Sequence, residues 1–422
     1  MAKRIFSGGA VAGVAMAAVL LVCAQGRAQV VASDQTAGFI VYPKIVVDND
    51  DIFGQSRNVD TLVQLTNTSK TACRAVHCYY VDGTSHCSTN TNSADPGVGA
   101  CRTNADCDLG GVCLQGWQPG NFTLYLSAGQ AVGWSASTGG TVPLEAVCTQ
   151  APPGNTQTIP PVREHYFTGE LKCIEVDAAD RANLVPINAN DLKGEATTYE
   201  VEPGPVGRVD VRAYNAIGIQ SRLSDGSTQN DQVMCLGVTQ GSTECAPGGA
   251  NQPEYASCPA VLILDHWFDG AVVNPPVGDG QLVKFVTTDL TLVPCSEDFS
   301  SQAPPPVTTT VQFLVYNEFE QRFSASTRVS CFTEEQLSRL DAPNSPASSI
   351  FNVSVQGTLT GQTRIRPVLG SETNVGHGLL GVAEEFNSVN GTVLGSAAYN
   401  LNYSGSNQTA GKEKGDFVRV GP

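Results

Sequence analysis

The stretch from Asp60 to Asp82, DTLVQLTNTSKTACRAVHCYYVD, constrains the fold more than any other. Two runs rich in β-branched and aromatic residues flank a polar break, and the second runs into Asp82-Gly83, a turn signal. Most of the chain repeats this texture. Apolar residues come in runs of five to eight, rich in Val, Ile, Thr and Tyr and separated by Gly, Pro, Asn and Ser. Helix signals are scarce. The best is Phe332 to Leu340, FTEEQLSRL, where Thr333 can cap and Gln336 stands three residues on. The pattern predicts an all-β protein of two immunoglobulin-like antiparallel β-sandwich domains.

The order of runs gives the division. A first domain spans 37–221 and carries a cysteine-rich insertion at about 83–120. A polar, Gly-rich segment over 222–253 links it to a second domain over 254–422, with one short strand at Val233 to Leu236. Pro43 interrupts the first strand, Phe39 to Val47, and predicts an edge position. Thr61–Thr66 and Ala75–Val81 are expected to pair as antiparallel neighbours, because their link is short. Pro304-Pro305-Pro306 reads as a stiff spacer.

The two halves echo each other. Val63-Gln64-Leu65 leads to Asn67, and Cys78 follows eleven residues on. Val311-Gln312-Phe313 leads to Asn317, and Cys331 follows fourteen residues on. Late in each half stands Ala-Tyr-Asn, at Ala213-Tyr214-Asn215 and Ala398-Tyr399-Asn400. A duplicated sandwich explains this order, with Thr61–Thr66 matching Val311–Tyr316. Strand–Asn–turn is also common in any β protein, because Asn suits turns.

The N-terminus reads as a signal peptide over 1–28. Lys3 and Arg4 precede an apolar run from Ala10 to Val22, and Gly26-Arg27-Ala28 supplies small residues for cleavage. Lipidation at Cys23 is disfavoured by the bulky Val22 before it. No later run is long enough to span a bilayer. The expected location is secreted, periplasmic or cell surface. Removing Lys3, Arg4 and Arg27 leaves 21 basic against 40 acidic residues, a net charge of −19, which argues against a nucleic-acid partner.

Export makes disulfides the expected state of the cysteines. The candidates are Cys78, Cys87, Cys101, Cys107, Cys113, Cys148, Cys173, Cys235, Cys245, Cys258, Cys295 and Cys331. Thirteen cysteines remain after cleavage, so one thiol is left over or pairs with another chain. Cys101, Cys107 and Cys113 stand six apart, a spacing that suits a local disulfide knot better than zinc. Asn104, Asp106 and Asp108 alternate within it as in a calcium loop. Leu109 and Gln115 stand where that loop needs glycine and glutamate.

The segments YPKIVVD (42–48), DTLVQLTN (60–67), HCYYVD (77–82), GELKC (169–173), AYNAIG (213–218) and YNEFEQRFS (316–324) resemble a family of uncharacterised secreted bacterial proteins. The resemblance spans most of the mature chain and implies a β-sandwich fold and export. It brings no activity and no catalytic residue.

Candidate chemistry is sparse. Asp48, Asp50, Asp51 and Asp60 bracket the loop between the first two strands, and gathered carboxylates can hold Ca2+. A solvated acidic loop is the simpler explanation of the four. Asp265-His266-Trp267-Phe268-Asp269 reads as an acid–base or sugar-stacking cluster, or as a structural histidine in a turn. Glu318 with Glu320 and Glu384 with Glu385 are carboxylate pairs of the kind glycosidases use, but adjacent strand residues point to opposite faces. The motifs of serine hydrolases, zinc proteases and phosphate-binding loops are absent. The sequence therefore predicts a structural, adhesive or binding protein with a protein or carbohydrate partner at the cell surface. The alternatives are a calcium-assisted carbohydrate-binding protein using Asp48–Asp60 and Trp267, and a secreted hydrolase.

Overall fold

The structure, a computed structural model, describes residues 31–49, 58–88, 100–101, 104–107, 111–114, 120–143, 148, 156–162, 166–179, 183–201, 209–229, 231–237, 254–273, 284–300, 308–368, 378–389, 392–406 and 416–421. The segment expected to be a signal peptide, Asp50, Asp51, Cys245 and the triple proline lie outside them.

The first part supplies fourteen strands: β1 (Val31–Ala32), β2 (Phe39–Asp48), β3 (Asn58–Asn67), β4 (Arg74–Asp82), β5 (His86–Cys87), β6 (Cys113–Leu114), β7 (Gly120–Leu126), β8 (Ala131–Ser135), β9 (Gly140–Pro143), β10 (Thr156–Ile159), β11 (Tyr166–Val176), β12 (Leu192–Val201), β13 (Val209–Asn215) and β14 (Ile217–Ile219). Ten of them form one antiparallel sheet along the path β13-β12-β3-β2-β11-β4-β7, with β8 on β3 and β14 on both β1 and β2. β3 and β4 are not the neighbours their short link predicts, since β2 and β11 lie between them. Both strands instead feed one core, with Val63 and Leu65 in the same buried cluster as Val76, Cys78 and Tyr80. The link is held as an arch by Asn67, fully buried. Its Nδ2 donates to the carbonyls of Ala72 (2.9 Å), Leu126 (3.0 Å) and Ser127 (3.0 Å), and its Oδ1 accepts from Ser69 N (3.0 Å).

Pro43 is likewise not on an edge. β2 is a central strand, and the ladder to β11 shifts register where Pro43 and Lys44 together face Glu170. A bulge spares the proline the ladder bond it cannot make, and it re-aims the flanking side chains. Lys44 and Glu170 are the side chains so aimed, and both are buried.

The remaining strands are β15 (Val233–Leu236), β16 (Pro259–Trp267), β17 (Val272–Val273), β18 (Lys284–Pro294), β19 (Glu297–Asp298), β20 (Thr308–Asn317), β21 (Arg322–Ser330), β22 (Thr333–Gln336), β23 (Thr360–Val368), β24 (Leu379–Val389), β25 (Thr392–Asn400), β26 (Asn402–Ser406) and β27 (Asp416–Arg419). They form a sheet β21-β20-β23-β16-β26, a second sheet β17-β18-β24-β25 with β22 on β18, and a small sheet β15-β27-β19. The predicted helix at Phe332–Leu340 is half strand. Thr333–Gln336 pairs with Leu292–Asp289 of β18, and only Leu337–Asp341 turns helical. An open strand edge took the segment that an isolated capping box would have coiled.

The fold is thus all-β, built of several antiparallel sheets, but the echoed strands do not correspond in pairing. β20 and β21 are hydrogen-bonded neighbours, whereas β3 and β4 are not. One part of the echo is structural. After each Ala-Tyr-Asn, the next strand returns to the first long strand of its half, β14 to β2 and β26 to β16. The two motifs also meet, since Asn400 Nδ2 donates to the Asn215 carbonyl at 2.8 Å.

The two halves share a core. One buried cluster joins Phe39, Tyr79, Ile174 and Ile217 to Met234, Cys258, Phe299, Leu380 and Val418. Tyr79 stacks on Phe299 at 3.9 Å, and its hydroxyl donates to the Gly421 carbonyl at 2.8 Å. Val233–Leu236 is completely buried and pairs with Asp416–Arg419.

Candidate binding face and buried charge clusters

The described residues include Asp48, Asp60 and most of the predicted disulfide cysteines. Asp60 lies within β3, buried, and its carboxylate is already engaged. It accepts from the hydroxyls of Ser135, Ser137 (2.6 Å) and Tyr199 (3.3 Å) and from the Ser137 amide (3.1 Å). Such a set of donors does for the carboxylate what a cation would. Asp48 ends β2 opposite Val59. The other two aspartates of the calcium reading lie outside the described residues.

The cysteine-rich insertion closes on itself through Cys87–Cys107 and Cys101–Cys113. Cys87, Cys101 and Cys107 bring their sulfurs within 4.8 Å of one another, but all three are oxidised and offer no thiolate to a metal. Cys78–Cys173 staples directly opposed residues of β4 and β11, and Cys258–Cys295 joins the start of β16 to the end of β18. Cys148 pairs with Cys73, which the sequence reading left out of the candidates. Cys235 is disulfide-bonded as well. Cys331, counted among the candidates, is instead a free and fully buried thiol. Burial pushes its pKa well up.

The acidic and aromatic cluster at 265–269 splits between two faces, as strand alternation requires. His266 points inward, with Nε2 2.8 Å from Thr363 Oγ1 and its ring edge-on to Phe268. Burial pulls its pKa down to about 4, so it is a neutral structural histidine. Asp269 is buried and accepts from the Ser338 amide at 2.8 Å. Asp265 points out, where Gln362 donates to it at 2.9 Å. The carboxylate pairs do not converge. Glu318 holds Thr360, Glu320 sits at a positive φ in the β20–β21 turn, and Glu384 is buried while Glu385 is half-buried.

Sequence reasoning missed two buried ion clusters at the seam between the halves. In the first, Lys44 Nζ contacts Glu334 Oε1 and Glu384 Oε2, each at 2.6 Å, and Arg212 lies 3.5 Å from Glu384 and 2.9 Å from Asp210. In the second, Lys172 Nζ sits 2.8 Å from Glu170 and 3.0 Å from Glu297, all completely buried. Burial pushes the Glu170 carboxyl up to about 8, Lys172 pulls it partly back, and Glu297 adds to the rise. Glu170 Oε2 and Glu297 Oε2 have no hydrogen-bond partner. Burial raises both carboxyl groups toward the protonated form, and the shared Lys172 ammonium opposes that rise. The visible signal was a lysine with an acid two residues before it inside an apolar strand, GELKC. The partner Glu297 is 125 residues away.

One face of the molecule is of the opposite character. The sheet β21-β20-β23-β16-β26 buries Phe313, Val311, Ile365 and Leu264 on one side and exposes the other. Cross-strand register lays the open side out in ranks. Asp265, Gln362, Tyr316 and Arg322 form one, and Ile263, Arg364, Leu314 and Ser324 the next. Arg366, Gln312 and Ser326 follow, then Val368, Thr310 and Arg328. Arg322, Arg364, Arg366 and Arg328 are exposed, and the Arg364 guanidinium lies 5.4 Å from the Tyr316 ring centroid. Trp267, half-buried, continues this face past Asp265.

Neither a protein-family model nor a curated protein matches the chain. Among solved structures, the CupB6 tip adhesin from Pseudomonas aeruginosa aligns over 94% of this chain and 95% of its own, at 8% identity and a TM-score of 0.11. That score is too low to assign fold or function. The disulfides themselves fit an oxidising, extracellular compartment, and among the described residues no helix is long and apolar enough to cross a membrane.

Proposed function

We propose that this is an extracellular binding protein, adhesive or structural in role, that works by surface contact and not by catalysis. The observation that supports this reading is the open face of the β21–β26 sheet, where arginines alternate with polar and aromatic side chains across the strands. The Cys258–Cys295 disulfide ties the start of β16, one strand of that sheet, to the end of β18. The side chains that sequence offered for acid–base work are buried, hydrogen-bonded or apart, so chemistry has less support than contact. Binding of the labelled, purified protein to bacterial envelopes and to immobilised extracellular matrix tests the reading. Saturable binding that unlabelled protein displaces is expected. Binding that neither saturates nor competes on any surface would remove it.

A further inference from the structure

We infer that the open face of the β21–β26 sheet binds an acidic polysaccharide, with Arg322, Arg364 and Arg366 as its anchors. This rests on the contact reading and adds the chemistry of the partner. The chain is strongly acidic, with 24 basic against 40 acidic residues. Yet the ranks of this one face gather four exposed arginines and one acid, Asp265, with Glu318 and Glu320 in the turn after β20. Arg322, Arg364 and Arg366 have no ion-pair partner among the described residues, and Asp265 and Glu318 are held by Gln362 and Thr360. Basic charge collected on a repelling body is a local attractor for anions.

The residue type points the same way. Lysine would serve for solubility, whereas a guanidinium forks onto a carboxylate or a sulfate through two parallel bonds. Arg364 and Arg366 are two residues apart on β23, so their stems are about 7 Å apart, and β21 runs about 10 Å away across two strand spacings. These anchors suit a chain with one anionic group per sugar or so. They are too sparse for duplex nucleic acid, which carries a charge about every 1.7 Å of axis and would also meet the acidic remainder of the molecule. Between the charges, Tyr316, Gln312, Gln362 and Trp267 give the face hydrogen-bonding and ring surfaces.

The test is titration of the purified protein, at about 50 mM salt, with polygalacturonate, heparin, neutral dextran and duplex DNA. The expected result is binding to polygalacturonate, heparin or both, none to dextran, and weakening as salt rises. Binding to polygalacturonate marks the carboxylate as the group read, and binding to heparin alone marks the sulfate. R364A/R366A should lose at least tenfold in affinity with an unchanged melting temperature, whereas R364K/R366K, which keeps the charge, should recover part of it. K70A, on the exposed β3–β4 arch, should change nothing. Failure to bind either acidic polymer, equal binding of dextran, tighter binding of DNA, or full affinity in R364A/R366A would each overturn the inference. The broader contact reading would survive any of these if the protein still bound envelopes or matrix saturably.

Discussion

Lys172 and its two glutamates show how single residues govern this protein's response to pH. Glu170 titrates near 8 in the folded chain, raised chiefly by burial, against the ordinary carboxyl range near 4.3 in the unfolded one. Burial raises Glu175 similarly to about 8, and Asp289 and Glu254 to about 7. Between these limits the folded state holds more protons than the unfolded state, so stability falls as pH rises. The contribution is complete below the unfolded value and is lost as pH climbs through the folded one. We expect a higher melting temperature at pH 5 than at pH 8, and a shallower slope in E170Q, whose amide mimics the protonated acid. Melting temperatures that rise from pH 5 to 8 would contradict this assignment. Lys172→Met should cost about 3–5 kcal/mol in urea unfolding at neutral pH, because it strands two buried carboxyl groups. Cys331 gives a second test at this scale. Its thiol should resist alkylation in the native protein and react fully after denaturation without reductant. Rapid native labelling would place it at the surface.

At the scale of elements, the bulge in β2 joins local sequence to long-range electrostatics. Proline cannot donate in a ladder, so the strand gives up a register position at Pro43, and that step turns Lys44 and Glu170 into the two seam clusters. Gly169 sits beside the bulge for a steric reason. A Cβ there would lie 2.1 Å from the Val81 carbonyl oxygen and 2.9 Å from the Phe167 ring. Gly169→Ala must push β4 away from β11, and an overpacking cost of about 1–3 kcal/mol is expected. Chemical denaturation reads it directly, and an unchanged midpoint would mean that the strands are looser than this spacing requires.

The whole molecule should unfold as one. The halves are joined by a common apolar cluster, by two ion clusters and by the C-terminal residues clasped under Tyr79. Calorimetry of the intact protein should give a single transition. Phe299→Ala, which removes the ring stacked on Tyr79 and leaves a cavity, should lower that transition as a unit by about 3–5 kcal/mol. Two separable transitions, with only the later one moved by the substitution, would show the halves to be independent.

The sequence by itself determined what depends on near neighbours. Short apolar runs rich in β-branched and aromatic residues, broken every few positions by turn formers, are a local signal that needs no partner, and they specified strands almost throughout. The spacing Cys101, Cys107, Cys113 likewise marked a knot whose members close over short loops. Tertiary structure decided whatever depends on which strand lies beside which. The short link from Asn67 to Arg74 is compatible with a hairpin or with an arch over the core, and only the competing partners β2 and β11 chose the arch. Thr333–Gln336 carries a helix signal but meets an open edge on β18 and pairs there. The seam clusters and the arginine face were equally hidden. Lys172 and Glu297, or Arg322 and Arg364, are far apart in the chain, and only strand order and register bring them to one place.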